Sequence, residues 1–216
     1  MHNECLSAAI STHHMRKAFL AIGLTLVLGS CARTYVQNPD PNHTHADFAV
    51  WVNGEKFDFS APDLMSDHPD DDQDHEGAGT GRHLHEYFHL HDGNGHVIHR
   101  HKPGLPLKEF FTSLQVGFSE MCYASFEPLA DGQICGDTPF RLFVNGKEMP
   151  FDDLQYPYKD MDKILITNAA TDADIEAQLK QMTDDACMSS KTCPWKGEPP
   201  NENCVSDPAI PCKEAK

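Results

Sequence analysis

Two Asn-Gly steps, each set between short alternating runs, constrain this chain more than any other feature. The first lies in "DFAVWVNGEKFDFS", residues 47–60, and the second in "FRLFVNGKEMPF", residues 140–151. Asn-Gly between alternating runs is the strongest short-range signal for a two-residue type I′ hairpin, because both turn residues need positive φ. Such a turn fixes register. In the first hairpin Val52 faces Glu55, Val50 faces Phe57 and Phe48 faces Phe59. One face then carries Phe48, Val50, Val52, Phe57 and Phe59, a core face. Ala49 and Trp51 point the other way, with His45 and Asp47 if the strand reaches back that far. In the second hairpin Leu142 faces Met149 and Val144 faces Lys147.

Other elements follow from periodicity. In "PGLPLKEFFTSL", residues 103–114, Leu107, Phe110, Phe111 and Leu114 recur at helical spacing, and Pro106 suits the first helical position. A strand is expected near Val116–Ala124, and a buried one at Ile164–Thr167. "TDADIEAQLKQM" predicts a helix opened by a capping box from Thr171 to Asp174. Residues 187–216 are rich in Pro and Cys and predict little regular structure.

The order of hairpin, hairpin, helix, strand, hairpin and strand resembles the β-grasp (ubiquitin-like) fold over roughly residues 84–168, with the hairpin at 46–59 as an addition. The expected class is α+β: a β-grasp-like mixed sheet with one packed helix, an extra N-terminal β-hairpin and a Cys-rich C-terminal tail. That fold hosts many functions and selects none of them.

The ends of the chain speak to location. "MRKAFLAIGLTLVLGSC", residues 15–31, has a basic start, about a dozen apolar residues and a small-residue end. That is the pattern of a secretory signal peptide, too short to span a bilayer stably. Leu28-Gly29-Ser30-Cys31 resembles the lipobox of bacterial lipoproteins, which implies cleavage before Cys31 and lipidation of that residue. The residues before Met15 fit no part of a signal peptide and are consistent with Met15 as the true start. The resulting plan is a signal peptide (1–30), a lipid tether (31–42), a His-rich domain (43–170), a helix (171–186) and a disulfide-rich tail (187–216). The only expected membrane association is the lipid anchor, facing the periplasm or the cell exterior.

Eight cysteines are present. Setting aside Cys5 and Cys31 leaves Cys122, Cys135, Cys187, Cys193, Cys204 and Cys212. An even number in an exported chain reads as disulfides. Cys122 and Cys135 fall together inside the domain, so the parsimonious assignment pairs them and forms two bridges within the tail, where four cysteines leave three connectivities open.

The formal net charge is −16. Such a field repels phosphate backbones and excludes nucleic acid as a partner; it favours cations. The acidic loop "SDHPDDDQDHEGAGTG", residues 66–81, with His68 and His75, is suited to gathering cations weakly.

Seven of the fourteen histidines fall in "HLHEYFHLHDGNGHVIHRH", residues 83–101. Four pairs in the chain share the spacing His-x-His: His43/His45, His83/His85, His89/His91 and His99/His101. In a strand, residues i and i+2 lie on one face, so each pair aims two imidazoles at a common point. Neutral imidazole is a good ligand for zinc and copper. Register decides which pairs meet. A two-residue turn at Gly93-Asn94 sets His91 against His96 and gives a site of His89, His91 and His96. A three-residue loop, Gly93-Asn94-Gly95, sets position 89 against 99 and gathers His89, His91, His99 and His101; the double pattern favours it. Asp47, Glu86 and Asp92 are candidate carboxylate ligands or partners that orient an imidazole N–H.

The mature chain also resembles a family of small exported, histidine-rich bacterial and archaeal proteins without a settled function. The segments that carry this are "HTHADFAVWVNGEKFDFS", "HLHDGNGHVIHRH", "KDMDKILI" and "CMSSKTCPWKGEPPNENC". Some of its members are labelled protein-disulfide isomerase. Such catalysts use Cys-x-x-Cys, in which one thiol resolves the other's mixed disulfide, and this chain has none.

Three functions fit these residues. The favoured one is a lipid-anchored protein that captures or buffers zinc or copper outside the cytoplasm. The second is a metal-dependent hydrolase with His-ligated zinc, for which Glu86 is the general-base candidate. The third is an interaction module that binds an envelope protein through sheet edges and a pH-sensitive histidine surface. Gly-rich phosphate loops and Gly-x-Ser-x-Gly elbows are both lacking, which favours binding over catalysis.

Overall fold

The computed structural model describes residues 33–66, 84–127, 129–200 and 209. The apolar segment with Cys31, the stretch holding His68, His75 and His83, and Cys204 and Cys212 lie outside the described residues.

Both Asn-Gly hairpins form in the expected register. β1 (Thr44–Val52) turns into β2 (Glu55–Lys56) with Val52 opposite Glu55, and Asn53 and Gly54 both take positive φ. β8 (Arg141–Val144) turns into β9 (Lys147–Met149) with Leu142 opposite Met149 and Val144 opposite Lys147. Between them come β3 (Phe88–His89), β4 (Val97–Arg100) and α1 (Leu107–Ser113). Pro106 is the residue that caps α1, one position earlier than expected, and Leu107, Phe110, Phe111 and Leu114 are buried as the spacing predicts. The strand expected near 116–124 is split into β5 (Gly117–Phe118) and β6 (Cys122–Ser125), which join β7 (Gly132–Cys135) in a separate three-stranded sheet. Cys122 lies opposite Cys135, and the two form a disulfide.

The larger sheet runs β3-β4-β1-β10-β8-β9, where β10 is Lys163–Thr167, and β2 pairs with the end of β1. β1 is antiparallel to β4 and parallel to β10, so the sheet is mixed and the class is α+β. The hairpin at 46–59 therefore is not an addition beside a core of residues 84–168. Its first strand is the centre of the sheet. A central strand buries both faces, and β1 does so with His45, Asp47 and Ala49 buried on the face opposite Ala46, Phe48 and Val50.

Ala46, Phe48, Val50 and Val52 point to the face that α1 covers, where the Phe48 ring meets those of Phe110 and Phe111 at 5.5 and 6.1 Å. Burying a side chain the size of Phe48, Val50 or Val52 stabilises the fold by roughly 1.5–3 kcal/mol. On the opposite face Ala49, Phe143 and Leu165 meet Ile175 of α2 (Asp172–Leu179), with Trp51 at the edge. Thr171 caps α2 by accepting from the backbone N–H of Asp174, as its position predicts.

The tail is more ordered than its composition suggests. It contributes α3 (Ala186–Ser189), a 3-10 turn at Pro194–Lys196 and the disulfide Cys187–Cys193. It is also tied to residues 33–42, the stretch expected as a tether. Val36 N–H donates to the Thr192 carbonyl at 2.9 Å, and the rings of Tyr35 and Trp195 meet at 4.9 Å. No helix among the described residues is long and apolar enough to cross a membrane.

Candidate metal centre

Strand alternation builds the site. β1 and β4 pair with Thr44 opposite Arg100, His45 opposite His99, and Ala46 opposite Ile98. β4 and β3 pair with His89 opposite His99. His45, His89 and His99 therefore share the face that α1 does not cover, and His43, His91 and His101 extend the same rows two residues on. All but His43 are buried, and His43 is partly exposed.

The hairpin that carries four of these residues has the register of the longer loop, but its turn sits elsewhere. Asp92 and Gly93 both have positive φ, and Asn94 N–H donates to the His91 carbonyl at 3.1 Å, a type I′ turn one residue early. Asn94 Oδ1 then accepts from the N–H groups of His96 and Val97, at 3.0 and 3.1 Å, which returns the chain to β4. Gly95 is required for a different reason. A Cβ there would lie 2.3 Å from Ser60 N and 2.4 Å from Phe59 C, so the loop can rest on residues 59–60 only as glycine.

Six imidazoles meet at the open end of this face. Ring centroids are 4.5 Å apart for His43/His45, 4.6 Å for His45/His99, 4.0 Å for His43/His101, 4.9 Å for His89/His101 and 3.8 Å for His91/His99. His43, His45 and His99 each offer a ring nitrogen such that all lie within 4.8 Å of one another, close enough that the three could hold one metal ion. Between His45 and His43 the Nε2 atoms are 3.1 Å apart.

Hydrogen bonds fix which nitrogen of several rings carries the proton. Ser190 Oγ donates to Asp160 Oδ1 at 2.5 Å, because a carboxylate only accepts. The same Oγ lies 2.8 Å from His45 Nδ1 and must accept from it. His91 Nδ1 donates to Asp92 Oδ2 at 2.7 Å, and His89 Nδ1 donates to the His85 carbonyl at 3.2 Å. In His45, His89 and His91 the lone pair is consequently on Nε2. A ring N–H donated to a carboxylate or carbonyl is how proteins orient metal-binding imidazoles and raise their basicity. Burial pushes His89 down to about 4, helped by the neighbouring imidazoles and opposed by its bond to the His85 carbonyl. Burial pushes His101 down further, again with neighbouring imidazoles adding to it. Both nitrogens of His101 are buried without a hydrogen-bond partner.

The remaining sequence candidates are placed elsewhere. His85 precedes β3, so strand alternation does not apply to it; its Nε2 bonds Glu109 of α1 at 3.2 Å and its Nδ1 accepts from Tyr87 N–H. Glu86 is exposed and lines a groove with Lys102, Lys108 and Glu109. His96 bonds Asp185 of the tail at 3.0 Å. Asp47 is buried on β1 and takes three bonds from the tail: from Thr183 Oγ1 at 2.5 Å, Asp185 N–H at 2.9 Å and Ala186 N–H at 3.2 Å. Burial raises its carboxyl above the usual range despite these donors. Asp92 is the one carboxylate candidate that orients a ring of the basin. Asp160 and Ser190 were missed by sequence reasoning, and nothing in their local sequence pointed to them.

A buried, preset group of imidazoles is thus the feature that any functional reading must use. Compared with family models, curated proteins and solved structures, the chain matches none. The reading rests on the residues themselves.

Proposed function

We propose that this protein is an extracytoplasmic, lipid-anchored metal-binding protein that captures or buffers zinc or copper in its histidine basin, with His43, His45 and His99 as the primary ligands. The observation that carries this is the grouping of His43, His45 and His99, each of which offers a ring nitrogen within 4.8 Å of the others in a largely buried space. Nδ1 of His45 is occupied as a donor to Ser190, which leaves Nε2 as its ligating nitrogen. Three imidazoles, with no thiolate in reach among the described residues, suit zinc or copper rather than calcium or magnesium, which prefer oxygen.

The signal-like segment and the lipobox-like residues ending at Cys31 support export and anchoring. The Cys122–Cys135 and Cys187–Cys193 disulfides fit an oxidising compartment. We read the fold as a β-grasp variant, with β1 and β10 as the central parallel pair, α1 on one face and the β3–β4 hairpin as the added element. Hydrolysis is less well supported, because Glu86 lines another groove. The test is metal analysis of protein purified without an affinity His-tag or chelator. Zinc or copper at close to a whole number per chain is expected. No metal as isolated, and none taken up from added zinc or copper, sinks the proposal.

A further inference from the structure

The histidine trio is steadied from the far end of the chain. Ser190 Oγ accepts from His45 Nδ1 at 2.8 Å and donates to Asp160 Oδ1 at 2.5 Å. The same Asp160 oxygen accepts from the backbone N–H of His45 at 3.0 Å. Asn38 Nδ2 donates to the other Asp160 oxygen at 3.0 Å and to the His43 carbonyl at 2.9 Å. Asp160 and Asn38 hold the backbone of two ligand residues. The hydroxyl of Ser190 holds an imidazole, and so sets how that ligand is aimed.

Local structure alone does not keep Ser190 in place. It ends α3, a helix of four residues, and a helix that short is unstable by itself in water. Lys191 follows in the left-handed region, with φ of 57°, which a lysine adopts only when its surroundings impose it. The Asp47 clamp reaches along the tail only as far as Ala186. From Cys187 to Cys193 the chain is closed by a disulfide across a separation of 6 residues, and Ser190 is the midpoint of that loop. Thr192 N–H donates to the Cys187 carbonyl inside it at 2.8 Å. The other disulfide, Cys122–Cys135, joins β6 to β7 in the separate three-stranded sheet, which does not carry the trio.

Resting on the reading of His43, His45 and His99 as a metal site, we propose that the Cys187–Cys193 disulfide gates that site, which binds metal tightly only when the loop is closed and Ser190 holds His45. With both thiols reduced, residues 187–193 are held by the bonds of a single turn and open locally. Ser190 then leaves His45, and the imidazole loses its orientation. Closure runs by thiol–disulfide exchange. Each cysteine gives up one proton and the pair gives up two electrons as the S–S bond forms. A disulfide of the exchange partner takes them and leaves as two thiols. Cys187 and Cys193 line a cavity of about 200 Å³ whose lining includes the exposed Lys191 and Pro194, which gives that partner a path to the sulfurs. Closure belongs to an oxidising compartment, so the chain has a weak site before export and a strong one after it.

The test is the zinc affinity of the full chain, measured by competition against a chelating indicator. Oxidised wild type is compared with Cys187→Ser/Cys193→Ser, in which the loop cannot close and these positions offer zinc no thiol. A fall of about 10–100-fold is expected, the usual result of freeing a ligand ring from its orienting partner. Cys122→Ser/Cys135→Ser should keep the wild-type affinity. Ser190→Ala should lose as much as the loop variant, and the two combined should lose no more than either alone, because both act through one contact. Equal affinity with and without the Cys187–Cys193 bond overturns the gate and leaves the site standing. Losses that multiply in the combined variant overturn the route through Ser190. Zinc bound by no protein, wild type included, removes the site and the gate with it.

If Cys187→Ser/Cys193→Ser does not fold, wild type equilibrated in a glutathione redox buffer at fixed free zinc decides. Coupling between two equilibria is reciprocal, so zinc must favour the closed loop by the factor by which closure favours zinc. Alkylation and peptide mass should show the oxidised share of Cys187–Cys193 rising with zinc. An unchanged or lower share overturns the gate.

Discussion

Ser190 Oγ lies 2.8 Å from Nδ1 of His45, although 145 residues separate them in the chain. The hydroxyl passes the hold of the Asp160 carboxylate on to the ring and thereby sets which nitrogen of His45 is basic. Ser190→Ala removes the acceptor and leaves a buried N–H unpaired, at a cost of about 1–3 kcal/mol. Loss of a partner that orients a ligand ring typically weakens metal binding by about 10–100-fold. Competition against a chelating indicator should show that loss in zinc affinity. Lower thermal stability with unaltered affinity would mean that Ser190 only packs the tail.

Asp47 predicts how the tail is held. Its buried carboxylate accepts from Thr183, Asp185 and Ala186, so one side chain of β1 holds the segment that opens α3. Asp47→Ala leaves those donors unsatisfied, and each buried group left without a partner costs about 1–3 kcal/mol. Asp47→Asn keeps one accepting oxygen and should cost less. Amide hydrogen exchange is the measurement. Protection should fall across residues 183–192 in Asp47→Ala while the Leu142–Met149 hairpin keeps its own. Uniform loss over both segments would contradict a local clamp.

What was legible in the sequence and what was not divides by range. Asn53-Gly54 and Asn145-Gly146 set register within a few residues, because positive φ at both turn positions permits one geometry. The α1 face followed from the spacing of Leu107, Phe110 and Phe111. His-x-His spacing led to the basin, since β1 and β4 keep strict alternation. The same spacing misled at His85, which precedes the strand and turns to Glu109. The parallel pairing of β1 with β10 joins residues more than a hundred positions apart, and no local pattern encodes it. That pairing is what brings Asp160, just before β10, to the backbone N–H of His45 at 3.0 Å. Tail composition implied irregular chain, and the Cys187–Cys193 bridge with the Asp47 clamp supplies the order that propensity does not.

Acid should release metal and destabilise the apo-protein together. His89 is held neutral in the fold, at about 4, against an ordinary value of 6.5. Below 6.5 the unfolded chain binds a proton that the folded chain refuses, so stability rises with pH in this window. The stability is fully present above about pH 6.5 and is lost as pH falls towards 4, by up to about 3 kcal/mol from this group at 1.36 kcal/mol per pH unit. His101, lowered in the same direction, steepens the fall. Urea unfolding of the apo-protein at pH 7.5, 6 and 5 should show a descending series, and His89→Gln a shallower one. A flat series would remove the buried-neutral assignment of His89.

Gly95 offers a test that touches no ligand. Its hydrogen stands where a Cβ would meet the backbone of Phe59 and Ser60, at 2.4 and 2.3 Å. Gly95→Ala must push the β3–β4 loop off that backbone, because neither neighbour is a side chain that can swing aside. Overpacking of this kind costs about 1–3 kcal/mol. The displacement also carries His91 and His96, which flank the loop, away from the positions fixed by Asp92 and Asp185. Gly54→Ala is the matched control. It has a positive φ of 85° and nothing within 4 Å, so it strains the β1–β2 turn at about 1–2 kcal/mol without moving a histidine. Zinc affinity should fall at least tenfold in Gly95→Ala and hold in Gly54→Ala, with both melting earlier than the wild type. Equal affinity in the two variants would show that the loop's seat on residues 59–60 does not position the basin.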